Sequence, residues 1–309
     1  MTMSDPPRPL RLGTRGSPLA LTQARMVIAA LRAAHGWGDG AVEIVPIRTS
    51  GDQIQDRALA EVGGKALWTK ELDRALIDGD IDCAVHSMKD VETIRPAEII
   101  IAAMLPRADV RDRLIGVESL RALPLDARVG TSSPRRAAQV RRARPDAEIV
   151  LFRGNVDTRL AKLAAGEAEA TLLAGAGLDR LGRTGIGHAI PTEEMLPAPA
   201  QGAVGIETLA GRDDMRALLG AIDDATTNAC VSAERALLAP LGADCRSPVA
   251  ALAVRSGAGL HLRAEILTED GSEYRAGEAL LLRTEDAAAL AHRLLEGASP
   301  RLRALFTGA

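Results

Sequence analysis

The sequence predicts an α/β protein with two similar α/β lobes and a smaller C-terminal α+β unit. Three observations predict it. Short apolar runs alternate with helical patterns over residues 10–207, which is typical of largely parallel sheets covered by helices. A Gly-Thr pair followed closely by Ser-Pro occurs twice, at residues 13–18 and 130–134. Beyond residue 249 the apolar runs follow one another directly, and Asp270-Gly271 is a hairpin signal.

The first lobe is predicted to begin with a strand at residues 10–12 and a helix capped by Ser17. Serine is a favoured N-cap and Pro18 suits the first helical position, so this helix should run to about His35, before Gly36. A strand at 42–47, a helix at 69–77 and a strand at 81–85 follow. We expect this lobe to comprise residues 1–104 and 205–224. A strand at 203–207 lies beyond a proline-rich segment at 191–199 that is expected to cross between the lobes.

The second lobe, expected at residues 105–204, repeats the pattern. A strand ending near Thr131 leads to a Ser-Pro helix start, and Asn155 is positioned to cap a later helix. The predicted elements are a helix at 135–143, strands at 149–152 and 170–174, and a helix at 156–165. The C-terminal unit, expected at 225–309, should contain a helix at 226–238, strands at 249–254, 260–268 and 273–282, and a helix at 287–295.

Composition excludes several classes of function. The 309-residue chain carries a net charge of −3 and 2% aromatic residues, which argues against nucleic-acid binding. No apolar run approaches the roughly 20 residues of a membrane span, and the Pro-rich start lacks a signal-peptide core. We therefore expect a cytoplasmic protein that binds neither membrane nor nucleic acid. The histidines and cysteines show no metal-ligand spacing, and without an obvious apolar stripe a monomer is expected.

A polar segment follows the predicted strand at 81–85. It presents His86, Ser87, Lys89 and Asp90 where the strand ends, and ligands of open α/β sheets bind at such ends. A lysine beside an aspartate can hold an anion and transfer a proton at one place. A solvated turn with a weak ion pair is the alternative that these residues alone leave open.

Arginines cluster after predicted strands and at helix starts. Their planar forks suit carboxylates and phosphates, so as a set they favour a polyanionic ligand over an ordinary arginine-rich surface. The set comprises Arg15, Arg135, Arg136, Arg153, Arg159 and Arg180. Lys65 follows two glycines but is not part of a P-loop, because Ala66 comes next. Two interpretations remain for this segment: a loop that places Lys65 and Trp68 in a cleft, or a glycine turn before a helix.

Three cysteines have different settings. Cys83 and Cys230 lie among apolar residues and are expected in the core. Cys245 lies in a loop between Asp244 and Arg246, where a neighbouring guanidinium can favour the thiolate. One interpretation is a thiol hydrolase that uses His86 as base, although no orienting residue or oxyanion motif accompanies it.

These segments together resemble the porphobilinogen deaminase family. The resemblance extends from residue 11 to about residue 248 and rests on motifs in the family's order. They are Gly13-Thr14-Arg15, Ser17-Pro18-Leu19-Ala20, Val62-Gly63-Gly64-Lys65, residues 84–91, Val129-Gly130-Thr131-Ser132-Ser133, Arg135-Arg136, Arg153-Gly154-Asn155-Val156, Thr158-Arg159-Leu160, residues 176–182, residues 199–207 and Ala233-Glu234-Arg235.

The resemblance implies a fold, a reaction and a cofactor. Two lobes would resemble periplasmic binding proteins, and a third domain would carry the cofactor cysteine. The enzyme would condense four porphobilinogen molecules head to tail, losing ammonia each time, and release hydroxymethylbilane for tetrapyrrole biosynthesis. One dipyrromethane, bonded through a thioether, would act as primer, and the partners would be porphobilinogen and the growing oligopyrrole chain. A non-catalytic two-lobed carboxylate-binding module is the alternative.

The resemblance also implies residue roles. Asp90 matches the catalytic carboxylate, and Cys245 matches the thioether cysteine. The remaining cofactor-binding positions are Lys89, Ser87, Thr131, Ser133, Arg135 and Arg136. The substrate-binding positions are Arg15, Ser17, Gln23, Lys65, Arg153, Arg159 and Arg180. His86 is expected to be structural.

Overall fold

A computed structural model describes residues 6–49 and 69–306, which divide into two compact units. The first unit holds the described residues up to Ala108 together with Ala203–Asn228. The second holds Asp109–Gly202 and the described residues from Ala229 onward.

Strands and helices alternate through most of the described residues. The strands are β1 (Leu10–Arg15), β2 (Val42–Ile47), β3 (Cys83–Ser87), β4 (Ile99–Met104), β5 (Asp112–Ile115), β6 (Arg128–Thr131), β7 (Glu148–Leu151), β8 (Ala170–Ala174), β9 (His188–Ala189), β10 (Val204–Leu209), β11 (Val249–Ser256), β12 (Gly259–Leu267) and β13 (Tyr274–Leu281). The helices are α1 (Pro18–His35), α2 (Lys70–Ile77), α3 (Pro134–Ala143), α4 (Val156–Ala164), α5 (Gly175–Arg180), α6 (Asp213–Gly220), α7 (Ala225–Leu241), α8 (Ala287–Glu296) and α9 (Pro300–Arg303).

The first unit is built on a five-stranded sheet in the order β2-β1-β3-β10-β4. Successive side chains of a strand point to opposite faces. Cys83 and Val85 of β3 therefore pack on the α1 side with Val27, whereas Ala84 packs on the α2 side with Leu72. The sheet thus has a helix-covered core on both faces, which is the layer arrangement predicted from the alternating pattern.

The second unit contains two sheets. One has the order β7-β6-β8-β5-β9, and the other is the antiparallel sheet β11-β12-β13. The antiparallel sheet has its own apolar core, in which Leu262 of β12 packs with Leu237 of α7 and Leu290 of α8. The predicted fold class, two α/β parts and a small α+β part, is confirmed. The predicted boundaries at residues 104/105, 204/205 and 224/225 stay predictions.

The prediction of largely parallel sheets is only half right. β1 pairs in parallel with β2 and β3, but β10 runs antiparallel to both β3 and β4. In the second unit β6 is parallel to β7 and β8, while β5 is antiparallel to β8 and β9. For β10 the reason is the chain connection. The chain reaches β10 only after passing through Asp109–Gly202 of the second unit, so no helical crossover joins β10 to β3 or β4.

Helix ends follow the predicted capping. Ser17, Ser133 and Asn155 each accept a backbone N–H from their helix, as predicted for α1, α3 and α4. Gly36 ends α1 in the left-handed conformation at φ 71°. Within the described residues, no helix has the length and apolar character needed to cross a membrane.

Candidate functional site

In the first unit, predicted site residues lie at the carboxyl ends of adjacent parallel strands. β1 ends at Arg15 and β3 ends at Ser87. α1 begins directly after β1, and Ser17 Oγ accepts the Ala20 N–H at 3.3 Å. Because β1 and β3 pair in parallel, their ends lie at one edge of the sheet, where the sequence predicted a ligand.

Gln23 connects the first helix to the end of β3. Its side chain is 2% exposed, and its Nε2 donates to Ser87 Oγ at 2.8 Å. Both residues were predicted as binding residues. The hydrogen bond between them shows how α1 and β3 fix the position of the Ser87 hydroxyl.

Lys89 and Asp90 lie on a single 3₁₀ turn, Met88–Asp90, that is anchored by a buried methionine. Met88 is 1% exposed, and its backbone N–H donates to Ala203 O at 3.1 Å. Its side chain fills the space beside Gly205 of β10, where a Cβ would lie 2.8 Å from Met88 Cγ. Glycine at position 205 therefore makes room for the anchor of the turn that carries Asp90.

The turn presents its two charged side chains at the surface of the first unit. Lys89 and Asp90 are both half-buried. Within residues 6–49 and 69–306, the Asp90 carboxylate forms no hydrogen bond or ion pair. A partly desolvated carboxylate held in this way can accept a proton or a hydrogen bond from a ligand N–H.

His86 belongs to a buried polar network that sequence reasoning did not find. Its Nε2 lies 3.1 Å from Glu207 Oε2, and Arg95 Nε lies 2.8 Å from Glu207 Oε1. Burial works against the charged form of Glu207, but the adjacent His86 and the hydrogen bonds from Arg95 prevail and lower its pKa to about 2. His86 therefore has a structural partner, as predicted. The only sequence signal for Glu207 was its position as a charged residue inside an apolar strand.

The second unit has an equivalent edge, formed by β6, β7 and β8. β6 pairs in parallel with β7 and β8, so their carboxyl ends lie together. Thr131 ends β6, and its Oγ1 accepts the Ser133 N–H at 3.1 Å. Ser133 Oγ in turn accepts the Arg136 N–H at 3.4 Å as the N-cap of α3.

Three predicted arginines follow β7 and β8. Arg153 is buried after β7, and Arg159 of α4 donates to Gly154 O at 3.0 Å and to Ser132 Oγ at 3.2 Å. Arg180 ends α5, where its Nη2 donates to Gly202 O at 2.7 Å. Its buried Nε has no hydrogen-bond partner among residues 6–49 and 69–306, and burial lowers the pKa of its guanidinium. Arg180 therefore has an unused donor for an anion.

Arg135 and Arg136 are buried around a carboxylate that the sequence did not reveal. Asp112 of β5 is 1% exposed; its Oδ2 accepts from Arg135 Nη2 at 2.8 Å and its Oδ1 from Arg136 Nη2 at 2.6 Å. Burial opposes ionisation of Asp112, but the two guanidinium groups outweigh it and hold its pKa well below the usual range. Arg135 Nε has no hydrogen-bond partner in the described ranges. Two buried positive charges thus share one buried negative charge.

Cys245 is exposed in the loop between α7 and β11. The flanking Asp244 and Arg246 form an ion pair with each other, Nη2 to Oδ2 at 2.6 Å. Their opposing charges therefore largely compensate beside the thiol. Cys83 and Cys230 are buried as predicted, and burial raises the pKa of the Cys83 thiol.

One predicted residue cannot be placed. Lys65, with its loop partner Trp68, lies outside the described residues. The structure also shows no group of three or more His, Cys, Asp or Glu side chains arranged to hold a metal ion in the ranges it describes.

Two family models match the chain. "Porphobilinogen deaminase, dipyromethane cofactor binding domain" matches residues 10–217, and "Porphobilinogen deaminase, C-terminal domain" matches residues 228–298. Among solved structures, substrate-binding domain 2 of Lactococcus lactis GlnP aligns with a TM-score of 0.43 at 11% identity, covering 71% of this chain and 89% of that one. That TM-score is low, and the family assignment rests on the sequence matches.

Curated relatives agree with the family models. The chain is 60% identical to the porphobilinogen deaminase of Sphingopyxis alaskensis over 310 aligned positions, which cover 98% of each chain. It is 50% identical to the porphobilinogen deaminase of Paracoccus denitrificans over 279 positions, covering 89% of each. The resemblance predicted from the motifs is thereby confirmed: the chain belongs to the porphobilinogen deaminase family.

Proposed function

We propose that Asp90 and Cys245 carry the chemistry of this member of the porphobilinogen deaminase family, and that the arginines at the two sheet edges hold the carboxylates of its pyrroles. The enzyme is a transferase that condenses four porphobilinogen molecules head to tail with loss of ammonia and releases hydroxymethylbilane, in tetrapyrrole biosynthesis. Its cofactor is a dipyrromethane. The role of each residue in binding and catalysis is our proposal.

The second unit fits a dipyrromethane with carboxylate side chains. An exposed thiol at Cys245 can form the thioether. Within the described part of the chain, Arg135 and Arg180 each have a buried Nε without a partner, and a guanidinium donor pair matches a carboxylate in geometry and charge. Thr131 and Ser133 add hydroxyl groups at the same sheet edge. We assign Arg135, Thr131 and Ser133, with Arg136 and with Ser87 and Lys89 of the first unit, to cofactor binding.

The carboxylate of Asp90 has a defined task in this reaction. When bound, the dipyrromethane supplies the nucleophilic pyrrole carbon to which new units are added. As the C–N bond of porphobilinogen breaks and ammonia leaves, positive charge develops on the substrate pyrrole. A carboxylate facing the pyrrole N–H stabilises that charge and takes up the proton released when the C–C bond forms. Positioned acid–base help of this kind contributes roughly 10²- to 10⁴-fold.

Substrate binding is assigned to residues that can pair with acetate and propionate groups. Charge-assisted bonds to arginine contribute about 1.5–3 kcal/mol each when partly buried. The assigned residues are Arg15, Ser17, Gln23, Lys65, Arg153, Arg159 and Arg180. Ser17 and Gln23 also have structural bonds, to Ala20 and Ser87.

The exposed Cys245 thiol, set against the buried Cys83 and Cys230, is the observation that carries the cofactor assignment. The intact mass of the purified protein should exceed the sequence mass by two linked pyrroles. Cys245→Ala should remove that excess, and the control Cys83→Ala should retain it. An unmodified wild-type protein that turns over porphobilinogen normally would refute the assignment.

The catalytic assignment is tested separately by Asp90→Asn, which keeps the shape of the side chain and removes its charge. We expect the adduct and the fold to be retained and kcat to fall by at least 10²-fold. Asp80→Asn, at an exposed aspartate of the same unit, is the matched control and should leave kcat unchanged. Near-normal turnover of Asp90→Asn would remove Asp90 from the catalytic role.

The two alternatives are not favoured. A carboxylate-binding module without chemistry does not account for membership of this enzyme family. A thiol hydrolase would need His86 as base, but His86 is 6% exposed and already faces Glu207.

We also propose a cytoplasmic monomer whose partners are porphobilinogen and the growing oligopyrrole chain, without nucleic acid or membrane. The net charge of −3 supports the absence of a polyanionic macromolecular partner. Sedimentation of the loaded protein tests the monomer, since a dimer would double the mass.

A further inference from the structure

Helix α3 of the second unit is held by buried carboxylates at two places along its length. Asp112 of β5 binds Arg135 and Arg136 in the first turn. Glu265 of β12 accepts from Gln139 Nε2 at 2.5 Å and from Arg142 Nη1 at 2.5 Å. The two carboxylates belong to different sheets of the second unit, so α3 joins the five-stranded sheet β7-β6-β8-β5-β9 to the three-stranded sheet β11-β12-β13.

The two attachments form one continuous row of hydrogen bonds. Asp112 binds Arg135 Nη2, Arg135 Nη1 donates to Gln139 Oε1 at 2.8 Å, and Gln139 Nε2 donates to Glu265. Arg135 and Gln139 are four residues apart, which places them on the same face of a helix. The members of the row are at most 4% exposed: Asp112 1%, Arg135 3%, Gln139 2% and Glu265 4%.

The row leaves Arg135 with specific unused donors. Its Nη1 hydrogens go to Gln139 and to Leu196 O, and one Nη2 hydrogen goes to Asp112. Among the residues that the structure describes, the Nε hydrogen has no partner and a second Nη2 hydrogen remains. Unpaired buried donors cost free energy, so this arrangement favours a further acceptor that residues 6–49 and 69–306 do not supply.

The charges of the cluster indicate the nature of that group. Arg135, Arg136 and Arg142 carry three positive charges, and Asp112 and Glu265 carry two negative charges, which leaves one positive charge in excess. Burial lowers the pKa of the Arg135 guanidinium despite the neighbouring carboxylates. One further carboxylate would balance the cluster and fit the remaining donors of Arg135.

We propose that Gln139 and Glu265 are positioning residues that fix the Arg135 guanidinium for a carboxylate of the dipyrromethane. This role rests on the proposed function and deepens it. Glu265 lies in the sheet that follows the Cys245 loop along the chain. The row therefore ties the arginine that holds a cofactor carboxylate to the region that holds the cofactor covalently.

Gln139→Leu removes the central member of the row at nearly constant volume. Arg135 then loses one of its restraints, and Glu265 keeps Arg142 as its partner. Misplacement of a reacting group by about 1 Å can cost up to 10²-fold in rate. We expect kcat for porphobilinogen to fall about tenfold while KM changes less than twofold, because the substrate contacts remain.

Arg141→Ala is the matched control. Arg141 lies on the same helix and donates to the backbone oxygen of Glu269 at 3.0 Å, so it also links α3 to the C-terminal sheet region. It has no bond to Arg135. If the link served stability alone, both variants would behave alike; a positioning role requires an unchanged kcat for Arg141→Ala. Glu265→Gln, which keeps an oxygen acceptor for Gln139, should retain most of the kcat that Glu265→Ala loses.

A second measurement does not depend on turnover. The thermal midpoint of each protein is compared with that of the same protein carrying Cys245→Ala, which cannot hold the cofactor. The rise in midpoint caused by cofactor loading should be smaller by roughly 2 °C or more in Gln139→Leu than in wild type or Arg141→Ala. If Gln139→Leu is too unstable to purify, the Glu265→Gln and Glu265→Ala pair carries the same comparison.

The outcomes separate the positioning role from the proposed function. A wild-type protein without the two-pyrrole mass would refute the proposed function. A loaded, active wild type with Gln139→Leu equal to it in kcat and in the cofactor-dependent midpoint shift would refute only the positioning role.

Discussion

Gly205→Ala tests whether the anchor of the Met88–Asp90 turn controls catalysis. The added methyl group would lie 2.8 Å from Met88 Cγ and closer still to its sulfur. Met88 is 1% exposed and cannot swing into solvent, so either β10 or the turn that carries Asp90 must move. The perturbation therefore begins in the core and reaches the proposed catalytic carboxylate through one side chain.

Gly205→Ala should lower both the free energy of unfolding and kcat. Overpacking of a filled core by one methyl group costs about 1–3 kcal/mol. A displacement of Asp90 approaching 1 Å would lower kcat by roughly 10- to 100-fold. The adduct on Cys245 should remain, because Gly205 belongs to the first unit and the cysteine to the second.

Urea denaturation and steady-state kinetics with porphobilinogen measure the two effects. Gly211→Ala is the matched control, since a Cβ at Gly211 would meet no atom within 4 Å. Adding Met88→Ala should relieve the clash, so that the double variant is more stable than the sum of the single effects predicts. If Gly205→Ala matches Gly211→Ala in both stability and kcat, the close approach to Met88 has no mechanical role.

Three further predictions concern other parts of the molecule. Glu207→Gln should destabilise the protein by about 3–5 kcal/mol at pH 7. The folded pKa of Glu207 is lowered from 4.5 to about 2. The stability that its ionised form contributes is therefore present above pH 4.5 and is lost as the pH falls toward 2. A difference in urea stability between wild type and Glu207→Gln that stays constant from pH 5 to 2 would contradict this. In the loaded native protein, Cys245 should be blocked and buried Cys83 unreactive, so alkylation detected by mass should occur only after unfolding, and native labelling would count against the thioether. Asn155→Ala should cost about 1 kcal/mol in urea denaturation through loss of the α4 N-cap, and unchanged stability would show that this cap is dispensable.

Elements defined by local signals could be predicted from the sequence. α1 was expected from Ser17 to about His35 and spans Pro18–His35, and β2 was expected at 42–47 and is found there. β3 was expected at 81–85 but spans Cys83–Ser87. β4 and β5 were not predicted. β4 is an uninterrupted apolar run that is compatible with a strand, whereas β5 has only four residues, of which two are charged. The two strands pair with β10 and β8.

Much of the candidate site could also be predicted, because strand ends and helix caps are marked locally. Asp90, Ser133 and Arg180 follow strands or end short helices as expected. Their residue types suggested the chemistry before any contact was known. Cys245 was separated from Cys83 by the composition of its loop alone.

The sequence by itself determined the fold class, the family, the caps and the chemical character of the site residues, since these depend on periodicity, turn residues and motifs within a few positions of each other. Only the tertiary structure decided which buried groups meet. Asp112 and Arg135 are 23 residues apart, and Gln139 and Glu265 are 126 residues apart. Such pairs leave no periodic pattern, because their contact is set by the antiparallel return of strands and by the packing of α3 between two sheets.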